Sequence, residues 1–356
     1  MLQSSRQKWI ARPLVTPPVV PAILVLLIAI VVVYAKLALH NFDPMSFAMV
    51  DGAFVYELAA AFPAISHAIL DVPAYRGQRI LLAALAAPAG VYMPWALIAI
   101  NVLALGAGSY ALAKLASRHH MSVWLGLVFG LWLGALFVIE LDLTEVLAYA
   151  LVLWGILFWE EDRPFLTGLM CGLAVLAKET TGLYGVAFLM ASGGWGWRAR
   201  LRFGLLAFGP GLAWQIVLLY TFTDTGLTAS LSRGAPAEHM LPLVGLLGAE
   251  MKAAWAWGVQ IAWVLVPSVV AVGWGAVQLW YGHRSPVAWG LILNGLFVAS
   301  LPSASTDYLA HSMRLALAVV ITLAWAVART RRPLVVLTTV GLALIPLIFF
   351  RPGFYL

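Results

Sequence analysis

Charge is scarce in this sequence. Of 356 residues only 10% are Asp, Glu, Lys or Arg, while 63% are hydrophobic and mean hydropathy is +0.95. That balance excludes an ordinary soluble globular domain and leaves no room for a large soluble module. Cysteine is almost absent. The lone Cys171 lies in an apolar run, has no partner for an intrachain disulfide, and is silent about redox compartment. Metal-ligand spacing is missing as well: His67 and His311 have no Cys or second His at ligating intervals, and no residue set indicates a divalent metal. A basic stripe is also lacking, because the net charge of +6 is spread over short loops, which argues against nucleic acid. Without internal repeats, low-complexity tracts or a boundary, residues 1–356 read as one integral-membrane domain.

Long apolar runs are abundant by contrast. They fall at 19–39, 94–115, 122–139, 144–159, 165–178, 181–192, 201–222, 255–280, 286–301, 313–328 and 333–350. A hydrocarbon core takes roughly 20 residues per helix, so the expected fold is an all-α polytopic membrane protein with about eleven transmembrane or partial helices. The runs 165–178 and 181–192 are short and meet at Lys178-Glu179-Thr180, the pattern of two partial helices. The basic leader MLQSSRQKWIARP precedes a run too long for a signal-peptide core, which predicts a retained anchor with a cytoplasmic N-terminus. On that orientation Lys and Arg concentrate in the inner connections, and every carboxylate except Glu160, Glu161 and Asp162 falls outside.

Residues 40–93 form a long first outer loop. Phe54, Val55, Leu58, Ala59 and Phe62 recur at helical spacing, as do Ile80, Leu81, Ala84 and Leu85, so the loop is expected to carry two interfacial amphipathic helices. A second outer loop, 223–253, holds Asp224, Arg233, Glu238, His239, Glu250 and Lys252.

Ionisable side chains near the outer face are the chemical candidates, since such groups pair, line a wet cavity or serve a substrate. Each has a plainer role too. Asp51 precedes an apolar helical run and Asp43 precedes Pro44, both good helix starts. Arg76 and Arg79 sit three apart, on one face if helical, suited either to a phosphate or to lipid headgroups. Asp142 and Glu145 share that spacing at the start of a run, where carboxylates also complement a helix N-terminus. Lys178 and Glu179 are expected to serve a substrate or to neutralise each other; Asp307, His311 and Arg314 make a weaker group.

The order of these segments resembles the integral-membrane C-type glycosyltransferase superfamily (GT-C). VDGAFVYELAAAFP resembles its acidic motif soon after the first span, and DVPAYRGQRILLAALA closes the loop. AKLASRHH resembles its basic inner turn, ELDLTEVLAYALVLW its outer acidic motif, and GLMCGLAVLAKETTGLY its Gly-Leu-rich helix ending in Lys. The likeness covers residues 20–195, leaving 201–356 as a variable helical part. It implies a bacterial inner-membrane enzyme whose outer face moves a sugar from a polyprenyl-phosphate donor to a lipid or glycan hydroxyl. Asp51 becomes the base candidate, with Asp142 or Glu145 supporting; Arg76, Arg79, Lys178, Glu179, Arg314, Tyr56 and His311 become candidates for the substrate. Asp51 is followed by Gly52 where the family often has a second acidic residue, so Asp43 competes for the role.

The residue types suit this chemistry independently of the likeness. A hydroxyl displacing a sugar phosphate needs a carboxylate to take its proton and cations to hold the departing phosphate. One displacement needs no second nucleophilic carboxylate and inverts the anomeric centre. A transporter or flippase of a lipid-linked or small anionic substrate, and a non-catalytic glycolipid-binding member, use the same ingredients.

Overall fold

The computed structural model describes residues 16–226, 228–229, 241–247, 254–302, 305, 307–330 and 332–350. The described residues are helical, with no strand among them. Each apolar run becomes a helix or a broken pair of helices. The first is α1 (Val19–Leu39), whose boundaries coincide with the apolar run. Asn41 and Phe42 then take left-handed φ values of 53° and 59°, which reverse the chain. The loop folds into α2 (Asp51–Ala61), α3 (Pro73–Gly77) and α4 (Ile80–Ala86).

Two helices form where the loop's apolar spacing predicted them, α2 and α4, with one difference. α4 runs through a 3₁₀ segment, kinked at Gly90, into α5 (Met93–Arg118), so that Ile80–Arg118 forms one 39-residue apolar stretch. Next come α6 (Gly126–Gly130) and α7 (Leu133–Glu140), bent by 48° where one straight run was expected. They are followed by α8 (Glu145–Glu160), α9 (Pro164–Ala177), α10 (Gly182–Ala191) and α11 (Trp197–Phe222). The break between α9 and α10 is the one expected at Lys178-Glu179-Thr180.

The C-terminal part comprises α12 (Ala254–Gln260), a π-turn leading to α13 (Val266–Trp280), α14 (Pro286–Ala299), α15 (Leu309–Leu315), α16 (Leu317–Arg329) and α17 (Pro333–Leu344). Four helical stretches are long and apolar enough to cross a membrane, or six if the bent pairs α6–α7 and α15–α16 each count as one. The expected count of about eleven transmembrane or partial helices is not confirmed among the described residues, where α9, α14 and α17 are apolar but shorter than a span. Several of these helices suit an integral membrane protein.

The core runs through the middle of this bundle. α5 packs on α1 and α8, α9 lies between α8 and α11, and α14 bridges α10, α13 and α16. α6 and α7 are buried along their whole length, unlike α11 and α13, whose outer faces expose Leu205, Leu212, Ile216, Val269 and Val277. Exposed apolar stripes on such helices are what a lipid-facing surface needs. α8 connects the two ends of the bundle, with Glu145 at one and Glu160 at the other. Of residues 223–253, expected to form a second outer loop, Arg233, Glu238, His239, Glu250 and Lys252 lie outside the described residues.

Candidate functional site

Five segments far apart in sequence converge at one end of the bundle. α2 brings Asp51 on its first turn; the α3–α4 corner brings Arg76 and Arg79; the α7–α8 turn brings Glu145; the α9–α10 break brings Lys178 and Glu179; α15 brings Arg314. Asp51, Arg76, Arg79, Glu145 and Arg314 line one small cavity, with Phe54, Val55, Leu58 and Leu143 as its apolar walls.

Asp51 is the hub. Arg76 Nη1 donates to its Oδ1 at 2.6 Å and Arg314 Nη2 to its Oδ2 at 3.0 Å, so each carboxylate oxygen holds a separate guanidinium. Arg76 is itself fixed by Asp71, 2.9 Å from its Nε, and by the Phe54 ring, whose centroid is 4.1 Å from its Cζ. Burial alone would raise the Asp51 pKa, but the opposing charges of Arg314, Arg76 and Arg79 outweigh it and hold the carboxyl well below the usual range. A depressed folded pKa stabilises above the unfolded value of about 3.9 and is lost as pH falls toward the folded value. Paired thermal melts of wild type and Asp51→Asn should show a constant margin from about pH 7 to pH 5 that shrinks below about pH 4. A margin unchanged down to pH 3 would rule out this linkage.

Beside the hub stand two further pairs. Arg79 grips Glu179 with two parallel bonds, Nε to Oε2 and Nη2 to Oε1, each 3.0 Å. Lys178 Nζ donates to Glu145 Oε1 at 2.9 Å, and both side chains are almost fully buried. Lys178 and Glu179, for which mutual neutralisation was one of two expected roles, form no direct ion pair with each other: the chain extends at Lys178 and the neighbours bond different partners. Glu145 also lies 3.7 Å from Arg314 Nη1, too long for a hydrogen bond. Arg314 Nε and Nη1 are buried and donate to no hydrogen-bond acceptor among the described residues. Buried guanidinium donors without acceptors need an explanation, and an anionic ligand is one.

Two close backbone approaches set this geometry. A Cβ at Gly52 would stand 1.9 Å from the Leu141 carbonyl oxygen, so only glycine lets α2 lie against the α7–α8 turn. Gly134 meets the Met313 carbonyl at 2.1 Å by the same measure, while the neighbouring Trp132 donates its indole N–H to that oxygen at 2.8 Å. These contacts lock α7 to α15 and thereby place Arg314. Gly52→Ala is expected to destabilise by about 1–3 kcal/mol through overpacking. Thermal unfolding in detergent checks it, and an unchanged midpoint would show slack between α2 and Leu141.

Other sequence candidates are placed differently. Asp43 is exposed and accepts a bond from Met45 N at 2.9 Å, capping the Pro44–Phe47 turn as its plainer role required. Asp51 is not itself a cap: it begins the helix, and Val50 at φ 53° is the flanking residue. Asp142 and Glu145 do not share a face, because α7 ends at Glu140 and Asp142 takes a left-handed φ of 47°. Asp142 instead faces Asn101 Nδ2, 3.5 Å away, in a separate buried group with Lys36, which donates to the Glu140 carbonyl. Tyr56 is half-buried on α2 and outside the cavity lining. His311 is half-buried one turn before Arg314, with its ring against Tyr308.

Asp71, Lys36 and Asn101 escaped the sequence-based selection. A lysine inside the apolar run of α1 was the available signal for the second group. Among the described residues no three of His, Cys, Asp and Glu gather as a metal site. No protein-family model matches this chain, and no curated protein or solved structure matches it either.

Proposed function

We propose that this chain is a polyprenyl-phosphate-sugar dependent glycosyltransferase of GT-C type, transferring a sugar to a lipid or glycan hydroxyl at the outer face of a bacterial inner membrane. One observation carries the proposal: the carboxylate of Asp51 is held between Arg76 and Arg314, and Arg314 keeps two buried donors without hydrogen-bond acceptors among the described residues. A carboxylate beside unspent guanidinium donors is the minimum for taking a hydroxyl proton while a phosphate departs.

In the reaction, the acceptor oxygen bonds to the anomeric carbon as the bond from that carbon to the phosphate oxygen breaks. The electron pair leaves on the polyprenyl phosphate, where Arg314 and Arg76 stabilise it, and the hydroxyl proton passes to Asp51. The configuration inverts. Donor binding has a second effect. When the phosphate draws Arg76 and Arg314 away from Asp51, the carboxylate loses the charges that keep it a weak base, so its pKa rises when it is needed. Lys178 serves Glu145 and through it the Arg314 side chain, a positioning role instead of direct phosphate contact. The orientation with a cytoplasmic N-terminus follows from the distribution of Lys and Arg.

Purified protein in nanodiscs, supplied with polyprenyl-phosphate hexoses and an acceptor alcohol, should release polyprenyl phosphate. Comparing extractable glycolipids with and without this gene product identifies the acceptor. Absence of release across donors, with no change in glycolipids, overturns the assignment.

The bends of 48° and 42° in α6–α7 and α15–α16 favour a second reading, translocation of an anionic lipid-linked substrate, because broken helices frame transporter sites. Substrate movement across proteoliposomes without bond cleavage would establish it.

A further inference from the structure

We propose that a cleft at the opposite end of the bundle from Asp51 binds the headgroup of an anionic phospholipid. It lies where three helices end or begin: Gln278 on the last turn of α13, Ser285 at the start of α14, and Arg329 closing α16. From Arg314 to Arg329 the chain climbs roughly 20 Å at 1.5 Å per residue, so this cleft is separate from the Asp51 cavity.

Its volume is about 390 Å³, and its lining is cationic: Arg284 and Arg329 are joined by His283, with no carboxylate among the described lining residues. Arg329 is partly spent on Glu160, 3.1 Å away, whereas Arg284 is exposed and has no acidic partner among the described residues. The 14-residue α14 begins beside these cations: Pro286 has no N–H, Ser285 Oγ caps that of Ala288, and Trp289 donates to the Ser285 carbonyl, which leaves the Val287 N–H in the cleft lining. Forked guanidinium donors and a helix N-terminus together suit a phosphate.

Depth distinguishes a lipid from a soluble anion. Trp280 and Tyr281 are 88% and 72% exposed beside the cleft, the aromatic pair expected at headgroup level. On the Asp51 side of them α13 exposes Val277, Val270, Val269 and Val266, an apolar wall along which acyl chains lie. Headgroup cations, interfacial aromatics and a lipid-facing stripe follow one another in the order of a phospholipid's own parts.

The test is native mass spectrometry of the detergent-purified full chain titrated with phosphatidylglycerol, phosphatidylcholine or inorganic phosphate. Phosphatidylglycerol should be retained at least about fivefold more tightly than phosphatidylcholine, and Arg284→Gln should weaken it about fivefold, the worth of one cation at a membrane surface. Arg198→Gln, which removes the same charge beside Trp197 at the same end of the molecule, should change retention less than twofold. Equal losses from the two variants would mean a diffuse surface field and overturn the site; equal retention of the two lipids would do the same. Inorganic phosphate binding as tightly as phosphatidylglycerol would overturn the lipid assignment. Unchanged melting temperatures without lipid confirm that Arg284→Gln folds, and Arg284→Ala repeats the test if it does not. None of these outcomes depends on whether sugar transfer occurs.

Discussion

Asp51→Asn should lower sugar transfer by about 10²–10⁴-fold, the worth of a positioned general base. The substitution keeps the shape and one carbonyl acceptor, so Arg76 or Arg314 retains a partner and the bundle stays folded. The loss should fall on kcat more than on KM, because Asp51 is asked to act on the acceptor proton and not to hold the donor. Asp43→Asn is the matched control. Asp43 is exposed and spends its carboxylate on the Met45 N–H, so its replacement should leave transfer near the wild-type rate. Full turnover by Asp51→Asn would exclude Asp51 as the base; loss in Asp43→Asn alone would move the role there.

The buried Lys178–Glu145 pair should give the largest stability effect. Removing one partner strands the other charge where both side chains are 2–3% exposed, a loss of about 3–5 kcal/mol. Glu145→Ala and Lys178→Ala should therefore each unfold at much lower temperature. The double variant Glu145→Leu/Lys178→Met, which fills similar volume without charge, should recover most of that stability, since a buried ion pair and its apolar replacement are often nearly equal. Thermal or denaturant unfolding of all three variants in one detergent reads the difference. Single substitutions within a few tenths of a kcal/mol of wild type would mean that water reaches the pair. In the double variant Arg314 loses the neighbouring Glu145 charge, so transfer should remain impaired after stability returns. That separation distinguishes a positioning role from a purely structural one.

Helix locations were legible because long apolar runs in a bilayer have few alternatives to helix formation. α1 matched its run at both ends, and the α9–α10 break fell at the expected Lys-Glu-Thr. Side-chain partnerships were less accessible, because they depend on turns between the helices. Three-residue spacing placed Asp142 with Glu145 only on the assumption of a continuing helix. The left-handed residue at 142 broke that continuity and turned the two carboxylates to different groups. Lys178 and Glu179 were adjacent in sequence, yet extended backbone at Lys178 sent one to Glu145 and the other to Arg79. Arg314 could be recognised as a rare charge in an apolar run, but its partner lies 263 residues away and no local pattern encodes that contact.

The volume inside the ring of charges carries a mechanical consequence. At about 20 Å³ it has room for little more than one water, far below the bulk of a hexose. On the proposed reading a sugar enters only after the cavity widens, and the approach of the Asp51 helix to Leu141, where Gly52 leaves no clearance, is one contact that resists it. If the proposed transfer holds, each product waits on that opening, and a motion of this kind is rate-limiting in many enzymes.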